Sequence, residues 1–157
     1  MSLHFVKGNV VTAVMNQEID YLLNQVNGQD VYGSGLAREI GDKIPSAKQH
    51  YHARIRNFKK LGVEPPMGLV WTGGGDVIHL LSQREYGRDK RYTSYGALAK
   101  GFEGLRYIPF EKPISECVLG IPHGLGCGLG GGDWEVVLEL IEHCVVPYWK
   151  DVYIYEL

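Results

Sequence analysis

The chain has little cysteine, no long apolar run and no excess of either charge. The three cysteines are Cys117, Cys127 and Cys144, an odd number, and none forms a Cys-x-x-Cys pair. That argues against a disulfide scaffold or a zinc finger and fits a reducing compartment. No apolar run approaches the roughly 18 residues of a membrane span, and the start of the chain carries no secretory pattern. The expectation is a cytoplasmic protein with no membrane partner. Lys plus Arg number 16 against 18 for Asp plus Glu, a formal net charge of −2. Such a balance gives no reason to expect nucleic acid, and an anionic ligand would have to be held by backbone amides and local dipoles. His50 and His52 stand two apart on a helical stretch and point to different faces, while His4, His79 and His143 are isolated. No metal and no cofactor is expected. With 45% apolar and 22% charged residues in 157, the composition is that of one globular domain, 1–157, with a sizeable core.

What the chain has is glycine, placed unevenly. From Cys117 to Trp134 it reads CVLGIPHGLGCGLGGGDW. Cys117, Val118, Leu119 and Ile121 form a short apolar run, a buried strand. Gly124, Gly126, Gly128, Gly130, Gly131 and Gly132 follow, and glycine lets a ligand approach the backbone with no Cβ in the way. Asp133 is a good N-cap. Trp134, Val137, Leu138, Ile141 and Val145 then recur at helical spacing, with Glu135, Glu139 and Glu142 elsewhere on the wheel. Strand, glycine loop and helix N-terminus in that order favour an anion, most often a phosphate. Gly126 to Gly131 also satisfies the G-x-G-x-x-G pattern, but a Rossmann domain opens with that unit and here only 26 residues follow Gly131.

The same arrangement stands near the other end. Ile19 to Val26 reads as a buried strand, Gly28 to Gly35 (GQDVYGSG) as a second glycine-bearing loop, and Leu36, Ala37 and Ile40 as the start of a helix. Two such junctions facing one another would form a crevice beyond strand ends. Elsewhere, Leu3 to Val11 begins as a strand and turns at Gly8-Asn9, and Pro45 to Leu61 is a helix with Pro at its start. Gly68 to Thr72 and Val77 to Ser82 form a hairpin through Gly73 to Asp76. Gln83 to Tyr92 is a polar loop carrying Arg84, Arg88, Lys90 and Arg91, either a solvated loop or a flap over an anion. Tyr95 to Leu105 is a helix and Val152 to Leu157 a closing strand. Alternating strands and helices with one hairpin predict an α/β fold, a three-layer α/β/α sandwich around a mixed sheet.

With both loops in view, the chain resembles a macro domain over nearly its whole length. Phe5 to Val10 resembles the first strand of that fold. Gln25-Val26-Asn27 with Gly33-Ser34-Gly35-Leu36-Ala37 resembles the first ligand loop, and Gly126-Cys127-Gly128-Leu129 with Asp133-Trp134 the second. Within the family it resembles most the yeast-type ADP-ribose 1″-phosphate phosphatases and related phage and bacterial proteins, with Pro45-Ser46-Ala47, Tyr51 and the terminal VYIYEL also fitting. The resemblance implies a monomer with an ADP-ribose cleft. By position, Asn9 stands where many macro domains place an aspartate that accepts from the adenine amino group, with Val10 beside it. Asn27 is expected beside the distal ribose. Gly33, Ser34, Gly35 and Leu36 wrap that ribose and one phosphate, and Gly126, Cys127, Gly128, Leu129 and Gly130 hold the diphosphate through their amides. Cys127 is read as a small loop residue rather than a nucleophile.

The resemblance implies hydrolysis of the phosphate monoester of ADP-ribose 1″-phosphate. A non-catalytic ADP-ribose reader and an ADP-ribosyl hydrolase are the alternatives. Amides can supply positioning and charge stabilisation, and a general acid or base would add to it. The catalytic candidates are His123 and Asp30, with Asp133 read mainly as a cap. Asn24 stands where related phosphatases can carry a histidine. Gln83 stands where a glycohydrolase branch carries a lysine, and a glutamine can neither form a Schiff base nor act as a cationic acid.

Overall fold

Asn9 ends the first strand and starts the first helix. Its Oδ1 accepts from the amides of Val11 (2.8 Å) and Thr12 (3.2 Å), an N-cap. β1 (Ser2–Lys7) therefore stops short of the apolar Val10-Val11 pair, which opens α1 (Val10–Met15) with both side chains buried. That corrects the reading of Leu3 to Val11, which foresaw the turn at Gly8-Asn9 but no helix after it. β-branched residues suggest strand locally, and here the cap and burial decide. The remaining elements are β2 (Tyr21–Asn27), α2 (Gly35–Lys43), α3 (Pro45–Lys60), β3 (Val70–Thr72), β4 (Val77–Gln83), α4 (Tyr95–Gly104), β5 (Val118–Pro122), α5 (Trp134–Cys144) and β6 (Asp151–Glu156). The structure is a computed structural model that describes residues 2–33, 35–87, 89–128 and 130–157. Ser34 and Leu129, both expected in the ligand loops, and Arg88 of the polar loop lie outside the described residues.

The six strands form one mixed sheet in the order β1-β6-β5-β2-β4-β3, with β3 antiparallel to β4 and the other pairs parallel. Helices cover both faces. α1, α2 and α3 pack one core with Leu22, Val26, Val77 and Leu81 of the sheet. α4 and α5 pack the other with Leu23, Ile78, Leu80, Leu119 and Ile121. Burial on both sides explains the near-continuous apolar runs in β2, β4 and β5. The result is the expected three-layer α/β/α sandwich. Adjacent β2 and β5 send their chains to opposite faces, β2 to α2 and β5 to α5. A crevice opens where connections diverge in this way, beyond the strands' carboxyl ends.

No helix among the described residues is long and apolar enough to cross a membrane.

Candidate functional site

The first glycine loop is shaped by Asn27 and Tyr51. Asn27 ends β2, its Oδ1 accepts from the Gln29 amide (2.8 Å), and its Nδ2 donates to the Val31 carbonyl (2.9 Å). The Tyr51 hydroxyl, brought up by α3, donates to the Asn27 carbonyl at 2.6 Å. Asn27 thus lines the cleft while its side chain holds the loop's turn. Gly35 enters α2 at φ +57°, the left-handed region that favours glycine. The first turn of α2, with Leu36 and Ala37, faces the cleft and carries no acidic residue. Its amides and dipole are therefore free to favour an anion.

The second loop is pinned from beneath. Thr93 Oγ1 donates to the Gly126 carbonyl (2.7 Å) and accepts from Gln25 Nε2 (3.0 Å), which also donates to Ser82 Oγ (2.7 Å). The Gly130 carbonyl accepts from the amides of Tyr92 and Thr93, and the Gly126 carbonyl also accepts from Gly132. The glycines divide by role. A Cβ at Gly130 would collide with Thr93 Oγ1 and the Gly126 carbonyl, so glycine there lets the loop close on its support. A Cβ at Gly33, Gly35, Gly124 or Gly128 would meet no protein atom within 4 Å. All four line the cleft. Among the described residues, the amides of Gly126, Gly128 and Gly130 have no hydrogen-bond partner.

Between the loops lies a cavity of about 640 Å³. A second, of about 480 Å³, adjoins it and shares Gly35, Leu36, Pro122 and His123. The lining of the larger cavity also holds four carboxamides, Asn24, Gln25, Asn27 and Gln83, with the hydroxyls of Tyr32 and Tyr86, and Asn24 Nδ2 donates to the Tyr32 hydroxyl (3.2 Å). Its described lining holds no carboxylate, lysine, arginine or thiol. The smaller cavity has apolar walls in Val10, Leu36, Pro122 and Tyr155 and carboxylates in Glu39 and Glu156. Glu39 accepts from Lys43 (2.7 Å) and from Asn9 Nδ2 (2.7 Å). The hydrogen bond from Lys43 holds the Glu39 carboxyl below its ordinary pKa, with Asn9 adding to the effect against desolvation.

The two catalytic candidates part company. His123 stands where the cavities meet, its ring 4.7 Å from that of Trp134 and its Nε2 3.8 Å from Glu156. Asp30 is directed instead at α3. His52 Nδ1 lies 2.6 Å from one oxygen and Arg56 Nε 2.9 Å from the other. Desolvation opposes its ionisation, but the hydrogen bonds from His52 and Arg56 outweigh it and hold the carboxyl below its usual pKa. Asp30 is also absent from the cleft lining, so this placement makes it a brace for the loop. Asp133 caps α5 by accepting from Glu135.

Of the expected binding residues, Asn27, Gly33, Gly35, Leu36, Gly126, Gly128 and Gly130 line the larger cavity, and Asn9 and Val10 the smaller. Asn9 has its oxygen committed to the cap and its amide to Glu39, so it is not a free acceptor. Cys127 is absent from both linings, and its Sγ lies 3.4 Å from the Leu125 carbonyl. Burial and the nearby Asp133 charge push its thiol up to about 11. Glu39, Thr93 and Tyr86 were not singled out by the sequence, because none carries a local motif; Glu39 and Thr93 meet distant partners, Asn9 for one and Gln25 and Gly126 for the other.

No family model matches the sequence, and no curated protein matches it. Solved structures do. A protein of unknown function from Bacteroides thetaiotaomicron superposes with a TM-score of 0.79 at 18% identity, covering 100% of this chain and 99% of that one. The macrodomain of Thermus aquaticus DarG gives 0.70 at 19% identity, covering all of both chains. Thermosipho africanus DarTG in complex with ADP-ribose gives 0.71 at 20% identity, covering 99% of this chain and 41% of that one. The chain has the macrodomain fold.

Proposed function

We propose that the cleft binds ADP-ribose, with the diphosphate on the amides of the two glycine loops. The observation that carries this reading is the pair of uncovered loops. Four glycines leave room at the cleft wall, and three amides of the second loop have no partner among the described residues. A fold likeness to a structure solved with ADP-ribose supports it. Adenine fits the smaller cavity, where Tyr155 and Pro122 provide flat apolar contact and Glu39 an acceptor. An ionised carboxylate only accepts, so it favours a base edge that donates, such as an exocyclic amino group. The distal ribose then points into the larger cavity with its carboxamides.

A second reading is hydrolysis of ADP-ribose 1″-phosphate. It rests on His123, the imidazole in the cleft lining, and on phosphate positioning by amides. The carboxamides of the larger cavity favour the reader, because Asn and Gln neither give nor take a proton at neutral pH. An assay of phosphate release from ADP-ribose 1″-phosphate separates the two. Turnover lost in His123→Ala, with ADP-ribose affinity kept within about tenfold, would establish the phosphatase. Binding without release favours the reader.

A further inference from the structure

The net charge of −2 averages over two unlike faces. α3 carries Lys48, Arg54, Arg56, Lys59 and Lys60 with His50 and His52, and no Asp or Glu. α5, in the opposite layer, carries Glu135, Glu139 and Glu142 and no Lys or Arg. On α3, Lys48, His52 and Arg56 follow at i+4 spacing, and Lys59 and Lys60 continue the row. Ala47, Tyr51 and Ile55 face the core. The ridge is about 18 Å long at 1.5 Å per residue. Among the described residues, Lys48, Lys59 and Lys60 have no carboxylate within 4 Å.

The ridge runs beside the cleft. The Lys48 side chain and the Tyr32 ring both pack over Gly41, and Tyr32 lines the larger cavity. The His52 ring lies 6.3 Å from the Tyr32 ring, and Arg56 holds Asp30 of the first loop. Gln29 of that loop donates to the Arg84 carbonyl at 3.0 Å, while the Arg84 guanidinium donates to the Pro65 carbonyl (2.6 Å) and lies 3.8 Å from Glu64. Two residues on from Arg84, Tyr86 lines the cavity mouth while 56% exposed. An aromatic so placed gives a base a surface to stack on.

We propose that this ridge and the cleft mouth bind a single strand of nucleic acid, its phosphates along Lys48, Arg56, Lys59 and Lys60 and one base on Tyr86. A cationic track with an interleaved aromatic is the usual recognition mode for unpaired strands. An acidic protein would meet the same charges but has no use for the stacking surface. The track stands on charge placement, so it survives or fails independently of what fills the glycine loops.

The test is fluorescence anisotropy with a labelled 12-nucleotide single strand of mixed sequence, between 50 and 200 mM salt. Binding should weaken with salt on a log–log slope of about −3, as for four phosphate contacts to a single strand. The combined variant Lys48→Gln, Lys59→Gln, Lys60→Gln should bind at least tenfold more weakly with a slope nearer −1, while its ADP-ribose titration stays as in the parent. Tyr86→Ala should lose at least fivefold on the strand. Absence of binding at 50 mM salt, an unchanged variant slope, tighter binding of the matching duplex, or equal displacement by polyglutamate would each overturn the proposal. If the strand binds and ADP-ribose does not, the track stands and the cleft reading falls.

Discussion

The Asn9 carboxamide donates to the Glu39 carboxylate across 2.7 Å, joining the cap of α1 to an acid of α2 at the edge of the smaller cavity. Asn9 itself cannot accept from a base, because its oxygen is held by the amides of Val11 and Thr12. The acceptor role passes to Glu39. Glu39→Gln should weaken ADP-ribose binding by about 1–3 kcal/mol while affecting the hypoxanthine analogue, which lacks the amino group, much less. Paired titrations of the two ligands check this.

Gly128 and Gly130 separate binding from stability. A Cβ at Gly128 meets open space, so Gly128→Glu should leave the melting temperature near that of the parent while abolishing ADP-ribose binding, by placing bulk and negative charge against the diphosphate. A Cβ at Gly130 strikes Thr93 and the Gly126 carbonyl. Gly130→Ala should lower the melting temperature as well, by an amount corresponding to about 1–3 kcal/mol of overpacking. Thermal melts beside calorimetry distinguish the two.

Asp30→Ala tests the brace. Its removal strips the partner from His52 and Arg56 and should destabilise the fold by about 1 kcal/mol, with any phosphatase rate unchanged. The folded-state pKa of Asp30 is lowered, so its stabilisation is present above the unfolded carboxylate pKa and is lost as pH falls through the folded one. The variant should therefore lose less stability than the parent on acidification below about pH 4. A loss of turnover with unchanged stability would return Asp30 to catalysis.

His79 sets a second pH dependence. It is fully buried in β4, stacked 5.2 Å from Trp71, with Nε2 3.3 Å from the Gly73 carbonyl and, among the described residues, no hydrogen-bond partner on Nδ1. Burial lowers its pKa to about 4. Between the ordinary value near 6.5 and that point the unfolded chain binds the extra proton, so stability should fall with falling pH by up to about 1.4 kcal/mol per unit. Denaturant titrations from pH 7 to 4 measure the slope, and His79→Phe should flatten it.

The strands, the two glycine loops and most helix starts were legible because each has a local cause: apolar runs, glycine clusters, Pro45 and Asp133. α1 was hidden behind the β-branched Val10-Val11 pair. The fates of Asp30 and Glu39 depend on partners elsewhere in the chain, His52 and Arg56 for one and Asn9 for the other. Thr93 meets Gly126 only through the fold. The cationic ridge was obscured for another reason: total charge sums over faces that the sheet keeps apart.

Calorimetry of the unmodified protein with ADP-ribose tests the central claim most directly. Saturable one-to-one heat that disappears in Gly128→Glu is the predicted result. No heat from the folded parent protein, or equal heat from both proteins, would contradict an ADP-ribose cleft built on the two glycine loops.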